Sequence, residues 1–131
     1  MDRKSLEDLA TEFRIGLFET ALALGRDDIS LMAELAELYT RAGRVREGLA
    51  LDEALVAREP DNPIFRYNLA CSLALVGRVD RAFDELDRAV GSGFDDTKLL
   101  LEDRDLDRLR ADPRWRRLVE RLAQDGEAGE R

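Results

Sequence analysis

Apolar residues recur along this chain at helical rather than strand spacing. Met32, Leu35, Ala36 and Tyr39 fall at i, i+3, i+4 and i+7, one stripe of an amphipathic helix. Gly43 follows where a left-handed helix end is wanted, because glycine meets no Cβ penalty there. Val45, Leu49 and Val56 then line a second helix, which Pro60-Asp61-Asn62-Pro63 terminates. The sequence repeats itself with Leu69, Ala70, Leu73 and Val76, then Gly77, then Val79, Ala82, Phe83, Leu86 and Val90. Asn62 is an N-cap with proline at the first helical position behind it. Upstream, a long helix over about 5–24 is predicted, with Ser5 and Asp8 as a weak capping box. Downstream, Gly91-Ser92-Gly93 ends a helix, Asp95-Asp96 caps a short one through Leu99–Leu101, and Asp112-Pro113 opens another. That last helix carries Trp115, Leu118, Val119 and Leu122 on one face. Residues 123–131 are small and polar and are expected to be disordered.

The two hairpins share a fixed offset. Leu35-Ala36 precedes Gly43-Arg44-Val45 by the same interval at which Leu69-Ala70 precedes Gly77-Arg78-Val79, and all five identities are 34 residues apart. Leu49 with Phe83, Leu55 with Ala89 and Val56 with Val90 keep that spacing. A fixed period of this length is the mark of a stacked helical repeat. The chain resembles the tetratricopeptide repeat, a 34-residue helix–turn–helix with the pattern W-x₂-L-G-x₂-Y…A-x₃-F…P. One unit (about 29–62) offers Met32-x₂-Leu35-Ala36-x₂-Tyr39, then Gly48-x₃-Asp52, then Pro60. The next (about 63–96) offers Arg66-x₂-Leu69-Ala70-x₂-Leu73, then Ala82-x₃-Leu86, with Phe94 in place of the proline. Neither has the tryptophan. Asp52 stands where a large apolar side chain is expected, so Leu51 and Leu55 are predicted to fill that space after a small rotation.

The resemblance implies an all-α, short right-handed solenoid of antiparallel helical hairpins with a C-terminal capping helix. Residues 1–122 then form a single domain: a degenerate first unit or lone helix (1–28), two repeats, and a cap (97–122) that leaves one face wet. It also implies a concave groove lined by the first helix of each unit, taking a peptide or partner helix. By position that groove comprises Ser30, Ala33, Glu34, Glu37 and Arg41 in one unit and Ile64, Tyr67, Asn68, Cys71 and Leu75 in the next. Asn68 matches an asparagine that bonds peptide backbone in such proteins, and Tyr67, Asn68 and Leu75 are expected to touch the partner. Glu34 and Glu37 would repel a terminal carboxylate, so a cationic or amphipathic helix is the expected ligand.

Composition narrows the chemistry. The chain holds 131 residues, 29 acids, 21 bases and no histidine, for a net charge of −8. That sign opposes nucleic acid and anionic membranes, and neither is an expected partner. The absence of histidine removes the commonest general base and transition-metal ligand. No nucleotide loop, nucleophile elbow or metal-ligand cluster is present, so a non-enzymatic adaptor without cofactor is predicted. A small acidic secretion or assembly chaperone and a self-assembling scaffold are the alternatives. No apolar run approaches the length of a signal peptide or a membrane span, and a cytoplasmic location is expected. Asp103, Asp105 and Asp107 alternate like a calcium loop, but Arg108 and Arg114 occupy the positions that require Gly and Glu. Cys71 is read as a small packed side chain. Residues 104–121 carry seven Arg against four acids around Trp115. Trp115 is expected inward with Arg114, Arg117 and Arg121 as the wet face; a head-to-tail homo-oligomer with the acidic residues 1–62 is the other reading of that basic cap.

Overall fold

A computed structural model describes residues 2–129, with side chains for 2–125. The described residues form seven α-helices and one 3₁₀ segment, with no strand. α1 (Arg3–Ala23) precedes two hairpins, α2 (Ile29–Arg41) with α3 (Val45–Arg58), and α4 (Pro63–Leu75) with α5 (Val79–Gly91). A short α6 (Thr97–Glu102), the 3₁₀ segment Arg104–Leu109 and α7 (Pro113–Gly129) follow. α7 continues past the cap end expected at 122, and residues 130–131 of the expected tail lie outside the described residues.

The predicted 34-residue period appears in the backbone. Gly43 and Gly77 have φ of 82° and 84°. At each, the next amide reaches back to the helix, Arg44 N to Tyr39 O at 2.8 Å and Arg78 N to Leu73 O at 2.9 Å. Only a residue without Cβ adopts that conformation cheaply, which is why both hairpins turn on glycine. Asn62 caps α4 by accepting from the amides of Ile64 and Phe65. At α1 the cap is Asp2, which accepts from Ser5 N at 2.7 Å, so Ser5 is the donor and not the cap expected of it.

Two apolar clusters hold the stack. The larger runs from α2 to α7 and includes Leu55, Leu69, Leu73, Leu86, Leu106, Trp115 and Leu122. The smaller, Ile15 with Leu35, Leu38 and Tyr39, fixes α1 on α2. Tyr39 donates to Glu19 at 2.6 Å, and burial beside that carboxylate pushes its hydroxyl up to about 12. The Arg44 guanidinium lies 4.8 Å over the same ring and pairs with Glu47, Glu12 and Glu19.

Asp52 does not rotate outward. It is 5% exposed, and the Ser72 hydroxyl donates to its Oδ2 at 2.5 Å. Leu55 is buried and Leu51 half-buried beside it. Leu51 and Leu55 do pack in the core, but Asp52 stays inward beside them through a polar pair spanning α3 and α4.

Candidate functional site: the concave groove

The faces of α2 and α4, with the loop and 3₁₀ segment after α6, enclose a groove of about 370 Å³. Ala33 and Glu37 line it from α2; Ile64, Tyr67, Asn68 and Cys71 line it from α4. Six of the positions expected on the concave face are thus brought together. Asn68 and Ile64 are exposed there, and Glu37 stands at the rim paired with Arg41 at 2.7 Å. Ser30, Glu34 and Arg41 are exposed but lie outside the lining. Leu75 lines a different recess, with Gly43, Arg44 and Arg108 near the hairpin turns.

Tyr67 is 3% exposed, which corrects its expected role as a surface contact. Its ring stacks on Phe94 at 4.5 Å, and its hydroxyl donates to Asp103 Oδ2 at 2.6 Å. The segment after α5 folds back over α4 and occupies this side chain. Burial, with Cys71 and Asp103 alongside, pushes the Tyr67 hydroxyl far above its ordinary range. Tyr67 therefore forms the wall of the groove and holds Asp103 in place.

Four carboxylates converge on the groove and no Lys or Arg lines it. Asp52 sits at the floor; Glu37, Asp103 and Asp105 stand around it. Burial drives the Asp52 carboxyl up to about 6, against the pull of its Ser72 hydrogen bond. Asp105 is also raised, by burial and then by the neighbouring Asp103 and Asp107 carboxylates. Both shifts have one physical origin: negative charge held out of water without a cation beside it.

Cys71, Asp103 and Asp105 bring potential ligand atoms within 4.8 Å of one another. Those atoms have other work. Asp103 Oδ1 accepts from Asp105 N at 3.0 Å, while Oδ2 takes Tyr67 and, at 3.7 Å, the Cys71 thiol. Burial first, then the Asp103 charge, raises the thiol, which keeps it protonated. Asp103 acts here as the N-cap of the 3₁₀ segment and the anchor of α4.

The arginines of the C-terminal cap are mostly latches rather than a free wet face. Arg114 pairs with Asp80 and Asp112 and lies 4.5 Å over Phe83. Its bonds hold the Asp112 carboxyl down to about 2. Arg121 pairs with Asp87, and Trp115 is buried under Arg110. Sequence reasoning missed Asp52 and Ser72 as a pair, and it missed the groove wall built from Leu99, Asp103 and Asp105. A polar residue at an apolar repeat position was the available signal for Asp52.

Hairpins stacked at this period, with first helices lining a concavity, define a tetratricopeptide-repeat-like helical solenoid. The solved structure "MamA MSR-1 C2", a protein of that repeat type, is similar to this chain with a TM-score of 0.67. It is 20% identical, and the match covers 89% of this chain and 70% of that one. No family profile and no curated protein matches the chain. No helix among the described residues is long and apolar enough to cross a membrane.

Proposed function

We propose that this protein is a non-enzymatic interaction module whose concave groove takes a cationic, amphipathic helical segment of a protein partner. The observation that carries the reading is the set of four carboxylates around a groove lined by no base, with the Asp52 carboxylate at its floor. A guanidinium or ammonium entering there gains partners that water supplies poorly, and it relieves the mutual repulsion of the acids. Ile64 and Leu99, both exposed at the rim, supply apolar contact for the other face of such a helix. Asn68 both donates and accepts beside them, which suits main-chain recognition.

The test is a titration by fluorescence anisotropy of two labelled helical peptides, alike except that one carries Lys/Arg where the other carries Glu. The basic peptide is expected to bind, and to bind about tenfold or more weakly to Glu37→Lys and to Asp52→Asn. Asp52→Asn is also expected to stabilise the fold, so loss of binding with gained stability separates recognition from folding. Equal binding of the two peptides, or unchanged affinity in both variants, would remove the groove reading.

A further inference from the structure

α1 has two apolar faces. Ile15, Phe18 and Leu22 point into the stack, whereas Leu6, Leu9, Phe13, Leu17 and Leu24 point away from it. The outward residues are half or more exposed, Phe13 at 68% and Leu24 at 80%. Together they expose on the order of 600 Å² of apolar surface, at the upper end of what a monomer ordinarily shows. Among the described residues, the other large exposed apolar side chains are Ile64, Leu99 and Leu101, which form no comparable stripe.

The far end of the stack offers no match for this stripe. The outward side of α7 carries Arg116, Arg117 and Glu120, all exposed. A head-to-tail array would therefore bury apolar surface against charge. The flanks of the stripe carry Glu7 and Glu12 beside Arg3 and Arg14, so they present no net positive charge to an anionic bilayer. The stripe is instead complementary to itself. A recess of about 550 Å³ lies over Gly16, bounded by Phe13, Leu17, Thr20 and Leu24, and a Cβ at Gly16 would meet nothing within 4 Å. Phe13 and Gly16 are i and i+3, neighbours on one helix face. A two-fold axis between them lays two α1 helices antiparallel, so that each Phe13 enters the recess over the other's Gly16. The same axis sets Leu9 against Thr20 and Leu6 near Leu24. Complete burial of the stripe on both copies would remove about 1,200 Å², the lower bound of a stable interface.

We infer that the outward face of α1 is the seam of a two-fold homodimer, with Phe13 of each copy seated over Gly16 of the other. This surface is on the opposite side of α1 from the stack, and it stands independently of what the groove binds. The closed symmetry ends the assembly at two, because one patch serves both copies.

Sedimentation equilibrium of the full chain over a concentration series tests it. Wild type is expected to pass from the monomer mass of 14.9 kDa to twice that mass as concentration rises. Phe13→Asp is expected to raise the dissociation constant by about 100-fold or more with helix content unchanged, because Phe13 is outside the core. Gly16→Leu obstructs the recess and also removes a glycine from a helix interior. It is expected to weaken the dimer while raising the monomer's melting temperature. A single mass for wild type at every concentration overturns the inference, as does undiminished pairing of Phe13→Asp. Undiminished pairing of Gly16→Leu overturns the seating.

Discussion

Asp52 holds its carboxylate in the interior with one hydroxyl donor, and its proton affinity records the cost. The folded value of about 6 lies above the ordinary 3.8. Between those values the folded protein binds more protons at this site than the unfolded chain does. The contribution to stability is therefore complete below pH 4 and is lost as pH rises through 6. The interval corresponds to about 2–3 kcal/mol at most. Asp52→Asn keeps the shape and a partner for Ser72 without the charge. Urea melts of the two proteins should match near pH 4 and diverge to a gain of about 1–3 kcal/mol for the variant above pH 6.5. A constant difference across that range would assign the effect to packing instead. The repeat pattern marked position 52 as anomalous, but it could not supply Ser72. That partner stands twenty residues away in a helix whose face is set only by packing.

At the scale of elements, the α2–α3 hairpin closes on Gly48. A Cβ there would stand 2.6 Å from Thr40 Oγ1 and 3.2 Å from the Ala36 carbonyl oxygen. The equivalent residue one period later is Ala82, fully buried, so this crossing holds a methyl group in the second unit and only a hydrogen in the first. Gly48→Val should destabilise by about 1–3 kcal/mol through overpacking, measured as a shift in denaturation midpoint without a change of slope. The C-terminal elements are joined differently. Arg110 reaches the carbonyl oxygens of Leu100, Leu101 and Asp103 through one nitrogen and pairs with Asp107. Lysine cannot match that planar fork over Trp115, so Arg110→Lys should cost about 1–2 kcal/mol and loosen the segment that covers Tyr67. Increased quenching of Trp115 fluorescence by acrylamide would register it. The hairpins were legible because each repeats a helical stripe, a glycine turn and a cap at one spacing. Residues 97–112 repeat nothing, so the fold-back that takes Tyr67 out of solvent and ties it to Asp103 had no counterpart in the sequence pattern. α1 was legible as a helix but not as a two-faced one, since both apolar stripes merge in a linear reading.

Across the whole molecule, neighbours in sequence are neighbours in space from α1 to α5, and stability in such a stack is a sum of interfaces between adjacent units. The interfaces are unequal. α1 rests on a four-residue buried cluster, whereas the second hairpin is clasped by α6, the 3₁₀ segment and α7 around the larger one. Amide hydrogen exchange of the monomer at low concentration should show α1 opening first and α4 last, with the protection of α4 near the global stability. Uniform protection across the helices would mean a single cooperative unit. At concentrations where copies pair, α1 should gain protection and α4 should not.

The bond between Tyr67 and Asp103 joins positions 36 residues apart, and it crosses the direction in which the hairpins are laid down. Pulled from its two termini, a plain ladder of hairpins would come apart one rung at a time from either side. Here the rung nearest the carboxyl end is cross-braced, so its length would be released late and together with everything folded over α4. Extension under load should thus proceed as a soft, graded unspooling of the amino-terminal helices, followed by one larger step.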